Sequence, residues 1–146
     1  MPATDQLIEH WVGDSKTVTI PVLGPAIPPA TLGPPIDLTF AEARWWMGKK
    51  VKSTGSDVFI KKSTSGASPN DGGITIVTTT DINNNTIWNL VIVIDPMDTE
   101  NVKPSSDGNP YYHEAEVMDQ NGNVSTVTTG PFILHGTVIR EPNAPF

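Results

Sequence analysis

Along most of the chain, apolar residues return at every second position, the period of a half-buried strand. Thr17-Val18-Thr19-Ile20-Pro21-Val22-Leu23 sets Val18, Ile20 and Val22 on one face. Residues 38–47 set Ala41, Ala43, Trp45 and Met47 on one side and Phe40, Glu42, Arg44 and Trp46 on the other. Adjacent Trp45 and Trp46 therefore face opposite ways, one into a core and one onto a surface or interface. The same alternation predicts strands over 57–62, with Val58 and Ile60 inward, and over 74–77, 86–94, 111–118, 124–129 and 131–134.

Gly, Pro, Asn and Asp clusters separate these runs. Asn121-Gly122 reads as a two-residue hairpin turn between two strands. Pro21 removes a ladder donor and marks its strand as an edge. Five prolines between Gly24 and Pro35 predict a stiff, extended connection. Asp95-Pro96 suits the start of one helical turn over 95–102, with Asp95 as cap. About seven short strands, with no long amphipathic helix and no alternation of strand and helix, predict an all-β, immunoglobulin-like antiparallel β-sandwich. Residues 1–16 are read as an N-terminal arm or first edge strand, 17–140 as the sandwich and 141–146 as a C-terminal tail.

A length of 146 residues suits one domain able to bury a core. The chain has no cysteine, so it carries neither a disulfide nor a thiolate metal site. A net charge of −7 argues against phosphate-backbone binding as the main role. The first residues lack a basic start and an apolar stretch, and the run Leu90-Val91-Ile92-Val93-Ile94 is too short to span a bilayer. Neither nucleic acid nor membrane is expected as a partner.

Several pieces, in order, carry a family resemblance. They are Ile36-Asp37-Leu38-Thr39 leading into Ala43-Arg44-Trp45-Trp46-Met47, then Gly72-Gly73-Ile74-Thr75-Ile76, then Asp95-Pro96-Met97-Asp98-Thr99. Tyr111-Tyr112-His113-Glu114-Ala115-Glu116-Val117 and the turn from Asn121 to Gly130 complete the set. Together they resemble small immunoglobulin-like structural proteins of tailed bacteriophages, similar in fold to the N-terminal domain of the phage baseplate upper protein. The resemblance spans roughly residues 17–140 and implies no catalytic residues. It implies a virion protein made in the bacterial host cytoplasm, with the major capsid protein or tail and baseplate proteins as partners and a homo-oligomer possible in the particle. The Pro-rich insert at 24–35 and the Asn83-Asn84-Asn85 loop depart from the pattern.

Candidate chemistry is sparse. Strand alternation places His113 opposite Glu114 and Glu116, so these neighbours make a poor metal site; His113 is expected inward, between Tyr111 and Ala115, hydrogen-bonded and structural. His10 and His135 are isolated. Asp81, Asp95, Asp98, Glu100 and Asp107 match no calcium loop, and the nearest imitation, 119–123, is explained by its turn. No nucleophile elbow or phosphate-cradling glycine loop is present. The expectation is a non-enzymatic protein with no cofactor and no metal. Lys49, Lys50, Lys52, Lys61 and Lys62 gather around one hairpin, as on a solvated edge that discourages strand pairing. Aromatic residues outside the core are enriched at interfaces. The candidate contact residues are thus Leu7, Ile8, Trp11, Trp46, Lys49, Lys50, Lys52 and Phe146. The expected role is head decoration or cement, acting through arms and sandwich edges. A baseplate or tail-fibre adaptor and a carbohydrate-binding module for the host surface are the alternatives.

Overall fold

The computed structural model describes residues 4–24, 28, 33–65, 73–105 and 109–136. Among the described residues, nine strands form two sheets. They are β1 (Thr4–Asp5), β2 (Ile8–Trp11), β3 (Lys16–Pro21), β4 (Glu42–Gly48), β5 (Val58–Ser63), β6 (Ile74–Thr80), β7 (Thr86–Ile94), β8 (Tyr111–Met118) and β9 (Val124–His135). A short α-helix, α1 (Pro96–Thr99), follows β7. The larger sheet runs β9-β8-β4-β5, with β1 and β2 both parallel to β9 at its edge; the smaller runs β3-β7-β6. Every other pairing is antiparallel.

This strand order is that of an immunoglobulin-like sandwich, and two side chains occupy its characteristic places. Trp45 sits fully buried on β4. Tyr111 opens β8 and donates its hydroxyl to the Lys103 carbonyl at 2.5 Å, closing a tyrosine corner. Antibody domains carry a cysteine two residues after that tyrosine. Here the place belongs to His113.

The alternating positions fill the interior as expected. Val18, Ile20 and Val22 meet Ala43, Trp45, Met47, Ile60, Leu90, Ile92, Ile94, Phe132 and Leu134 in one core. Trp45 is the inward tryptophan and Trp46 the outward one.

Four sequence expectations differ in detail. The segment expected as strand from residue 38 begins pairing only at Glu42. Before it, Asp37 accepts the Thr39 amide and Phe40 adopts a φ of 60°, so the chain turns there. The strand expected over 74–77 extends to Thr80. The two strands expected over 124–129 and 131–134 are one, β9, despite Pro131. The register places Pro131 opposite the break between β1 and β2, so its missing N–H costs no ladder bond there. The Asn121-Gly122 turn is also not the two-residue form. The Gly122 amide donates to the Asp119 carbonyl at 3.0 Å, and the Asp119 amide to the Asn123 carbonyl at 2.9 Å. Gly122 alone takes positive φ, at 85°, which is the type I turn with a glycine bulge.

Residues 4–11, read as an arm or edge strand, run along β9, and Ile8 and His10 are buried. Most of the Pro-rich insert and the tail from residue 137, with Phe146, lie outside the described residues.

Candidate functional site

On β4 and β8, the residues that alternate with the core build the outer face of the larger sheet. Arg44 and Trp46 project from β4, and Tyr112, Glu114 and Glu116 from β8. With Asp5, the loop residues Lys50, Val51 and Lys52, and Thr129 and Pro131, they line an open groove of about 670 Å³. Its floor is the β4–β8 ladder, which is rigid because its other side is the packed core.

The charges in this groove are mixed. Arg44 Nη2 lies 2.6 Å from Glu116 Oε2, and Arg44 Nε donates to the same oxygen at 2.8 Å. Glu114 accepts from the Thr126 hydroxyl at 3.1 Å. Lys50 and Lys52 make no ion pair among the described residues. Trp46, 37% exposed, stands amid these groups. Lys61 Nζ sits 4.5 Å from its ring centroid and Arg44 Cζ 5.7 Å. Cations thus already occupy space over the indole, and a sugar stacking on it would have to displace them.

The candidate contact residues separate in space. Trp46, Lys50 and Lys52 converge on the groove. Lys49 is exposed on the same loop, where its amide donates to the Asp57 carbonyl. Ile8 is a core residue, 3% exposed, so it offers no contact surface. Leu7 is exposed beside it. Trp11 lies half exposed at the far end of β2, its ring stacked on His135 at 4.7 Å. Arg44, Tyr112, Glu114 and Glu116 were missed as groove residues. Their signal was present, since each holds a polar phase of the alternation next to Trp46 or opposite His113.

Beneath the groove runs a buried polar chain. Trp45 Nε1–H donates to His113 Nδ1 at 3.1 Å, and His113 Nε2 meets the Gln6 carbonyl at 2.7 Å. These contacts fix the neutral tautomer with the proton on Nε2. Burial holds the His113 pKa below its ordinary value of 6.5. His10, also buried, is lowered for the same reason. Lys62, the one lysine of the cluster pointing inward, is fully buried, with Nζ 2.7 Å from Asp98 Oδ2. Asp98 Oδ2 also accepts the Asp95 amide at 2.7 Å, tying β5 to the start of α1. Among the described residues no three His, Cys, Asp or Glu side chains converge as a metal site. No helix among them is long and apolar enough to cross a membrane.

The fold and this face define an immunoglobulin-like sandwich with an open, mixed-charge groove. No protein-family model matches the chain, and no curated protein matches it. Among solved structures, the chain is similar to the inferred receptor-binding domain of the human endogenous retrovirus envelope EnvP(b)1. That match has 14% identity over 96% of this chain and 94% of the other, with a TM-score of 0.36. A likeness that distant carries no argument about function.

Proposed function

We propose that this protein is a non-enzymatic attachment module of a tailed-bacteriophage particle, docking onto another virion protein through the outer face of its larger sheet. The observation that carries the docking reading is the position of Trp46. A large aromatic, flanked by arginine and lysine and set in a concave face on a rigid ladder, has the composition of an interface hot spot. The paired and unpaired charges around it suit a protein surface bearing both signs, which would set register more than affinity. The phage assignment rests on the resemblance of the segments around Trp45, Asp95 and Tyr111, an argument by analogy. Within the particle, head decoration remains the favoured place, since one small domain repeated by symmetry multiplies weak contacts.

The test is occupancy on particles lacking the protein. Purified chain should rebind such particles, and Trp46→Ala should weaken rebinding about 30-fold, the effect of a hot-spot residue near 2 kcal/mol. Its melting temperature should stay near that of the parent, because Trp46 faces outward. Equal occupancy by the variant would remove the groove as the docking face. Truncating residues 1–16 is the poorer experiment, since Ile8 and His10 belong to the core.

A further inference from the structure

Each sheet ends in two edges, and three of the four are guarded against pairing with another chain. The β1–β2 edge carries Asp5 and Glu9. The β3 edge carries Lys16 and Pro21. The β5 edge carries exposed Lys61 and inward-pointing Lys62. Charges, proline and inward lysines are the usual devices that keep an edge single. The fourth edge has none of them. β6 reads Ile74-Thr75-Ile76-Val77-Thr78-Thr79-Thr80, without charge, proline or glycine, and pairs with β7 over all seven residues with no bulge.

The ladder shows which backbone groups remain open. Gly73 O accepts the Val93 amide, and the Asp81 amide donates to Asn85 O. By antiparallel alternation, the odd-numbered residues between them bond to β7. Ile74, Ile76, Thr78 and Thr80 therefore turn their N–H and C=O groups to the free side. Among the described residues nothing pairs with them. Thr75, Val77 and Thr79 sit on the outer face, all exposed.

We propose that the β6 edge is a two-fold interface with a second copy of this chain. The parity of the open groups admits only registers that pair even residues with even, and of these the one with its axis through Val77 overlaps all seven residues of β6. With the axis through Val77, Ile76 pairs with Thr78 of the second copy and Ile74 with Thr80, and these even residues exchange the hydrogen bonds. Thr75 then faces Thr79 and Val77 faces Val77 on the outer surface, as β-branched cross-strand pairs. Self-pairing brings no like charges together, although the chain carries a net charge of −7. It also closes, because the joined sheet ends in the two guarded β3 edges, so association stops at the dimer. This interface lies on the smaller sheet and is independent of the groove.

The test uses the full chain. Light scattering after gel filtration should give twice the monomer mass of 15.7 kDa, reverting toward monomer on dilution. Val77→Lys, which opposes two ammonium groups at the axis, should remain monomeric at concentrations where the parent dimerises, with an unchanged circular-dichroism spectrum. Because the chain has no cysteine, single cysteines report the register. Facing residues of a non-hydrogen-bonded pair have Cα atoms about 4.5 Å apart, within the ~4.4–6.8 Å span of a disulfide. Val77→Cys should thus crosslink quantitatively on mild oxidation. Thr79→Cys should not, since its two copies would stand four positions apart along the strands, about 13 Å. A monomer at every concentration, an open-ended series of aggregates, a dimer indifferent to Val77→Lys, or equal crosslinking at both positions would each overturn the proposal.

Discussion

Trp45 donates its indole N–H to His113 Nδ1, and His113 passes the contact on to the Gln6 carbonyl of the N-terminal segment. Two central strands and the connection between β1 and β2 are thereby linked through one neutral imidazole. In antibody domains the place of His113 holds one half of a disulfide between the two sheets; here His113 bonds instead to Trp45 on the neighbouring strand of its own sheet and to Gln6. A contact made through an imidazole is sensitive to protons.

A pH dependence follows from His113 and His10. Both are neutral in the folded and unfolded states above the ordinary value of 6.5. Below it the unfolded chain takes up protons first, because burial lowers both folded-state values. Stability should therefore hold steady above pH 6.5, fall as the pH drops through the folded-state values, and level off beneath them. Urea unfolding at about pH 7.5 and about pH 5 measures the loss, above the range where carboxylates titrate. His113→Gln should cost roughly 1–3 kcal/mol at the higher pH and shrink the acid-dependent loss. An unchanged acid loss in that variant would assign the whole effect to other groups.

Gly130 is where the N-terminal segment touches β9 most closely. A Cβ there would collide with the Gln6 backbone, which cannot move without dragging the His113 contact. Gly130→Ala should cost about 1–3 kcal/mol, the range for overpacking a tight site. Hydrogen exchange should locate the damage. Amides of residues 6–12 should exchange faster while those of β7 keep their protection.

Lys62 and Asp98 form an ion pair with almost no access to water. Removing one partner strands the other charge. Lys62→Met alone should destabilise by roughly 3–5 kcal/mol, and pairing it with Asp98→Asn should recover a large part of that. A double-mutant cycle in urea measures the coupling, and additive losses would mean that the pair contributes nothing jointly.

Two turns at different hairpins are built alike. Asp81 Oδ1 accepts the Asn83 and Asn85 amides at 2.8 and 2.9 Å, and Asn85 Nδ2 donates to Oδ2 at 3.2 Å. Asp119 does the same with Asn121 and Asn123, at 2.9, 2.9 and 3.1 Å. These bonds hold both carboxyls below the ordinary carboxylate range. The turns differ at Ile82 and Gln120, which take no part in these bonds, and at the positive-φ position, Gly122 in one turn and Asn84, at 62°, in the other. Asn84→Gly should raise the melting temperature slightly, since glycine adopts that φ without steric cost. Asp81→Ala and Asp119→Ala should each lower it, and by similar amounts.

Much of this protein was legible in its sequence. Alternation set Val18 and Ile20 on one face of their strand, and Ala43, Trp45 and Met47 together on one face of theirs, because a strand's side-chain period is fixed by backbone geometry. Thr86–Ile94, Tyr111–Met118 and the Asp95-Pro96 helix start were readable for the same local reasons. Parity also separated Trp45 from Trp46, but only the pairing of β4 between β5 and β8 decided which one faces the core. The groove residues Arg44, Tyr112 and Glu116 come from strands about 70 residues apart, and no local rule brings them together. The inward turn of Lys62 depended on Asp98 arriving from the far side of the sandwich. The N-terminal segment became an edge strand because Gly130 leaves room for Gln6 and Pro131 leaves a gap in the ladder. What local geometry imposes can be read one residue at a time; which strands become neighbours is settled by burial of the whole core at once.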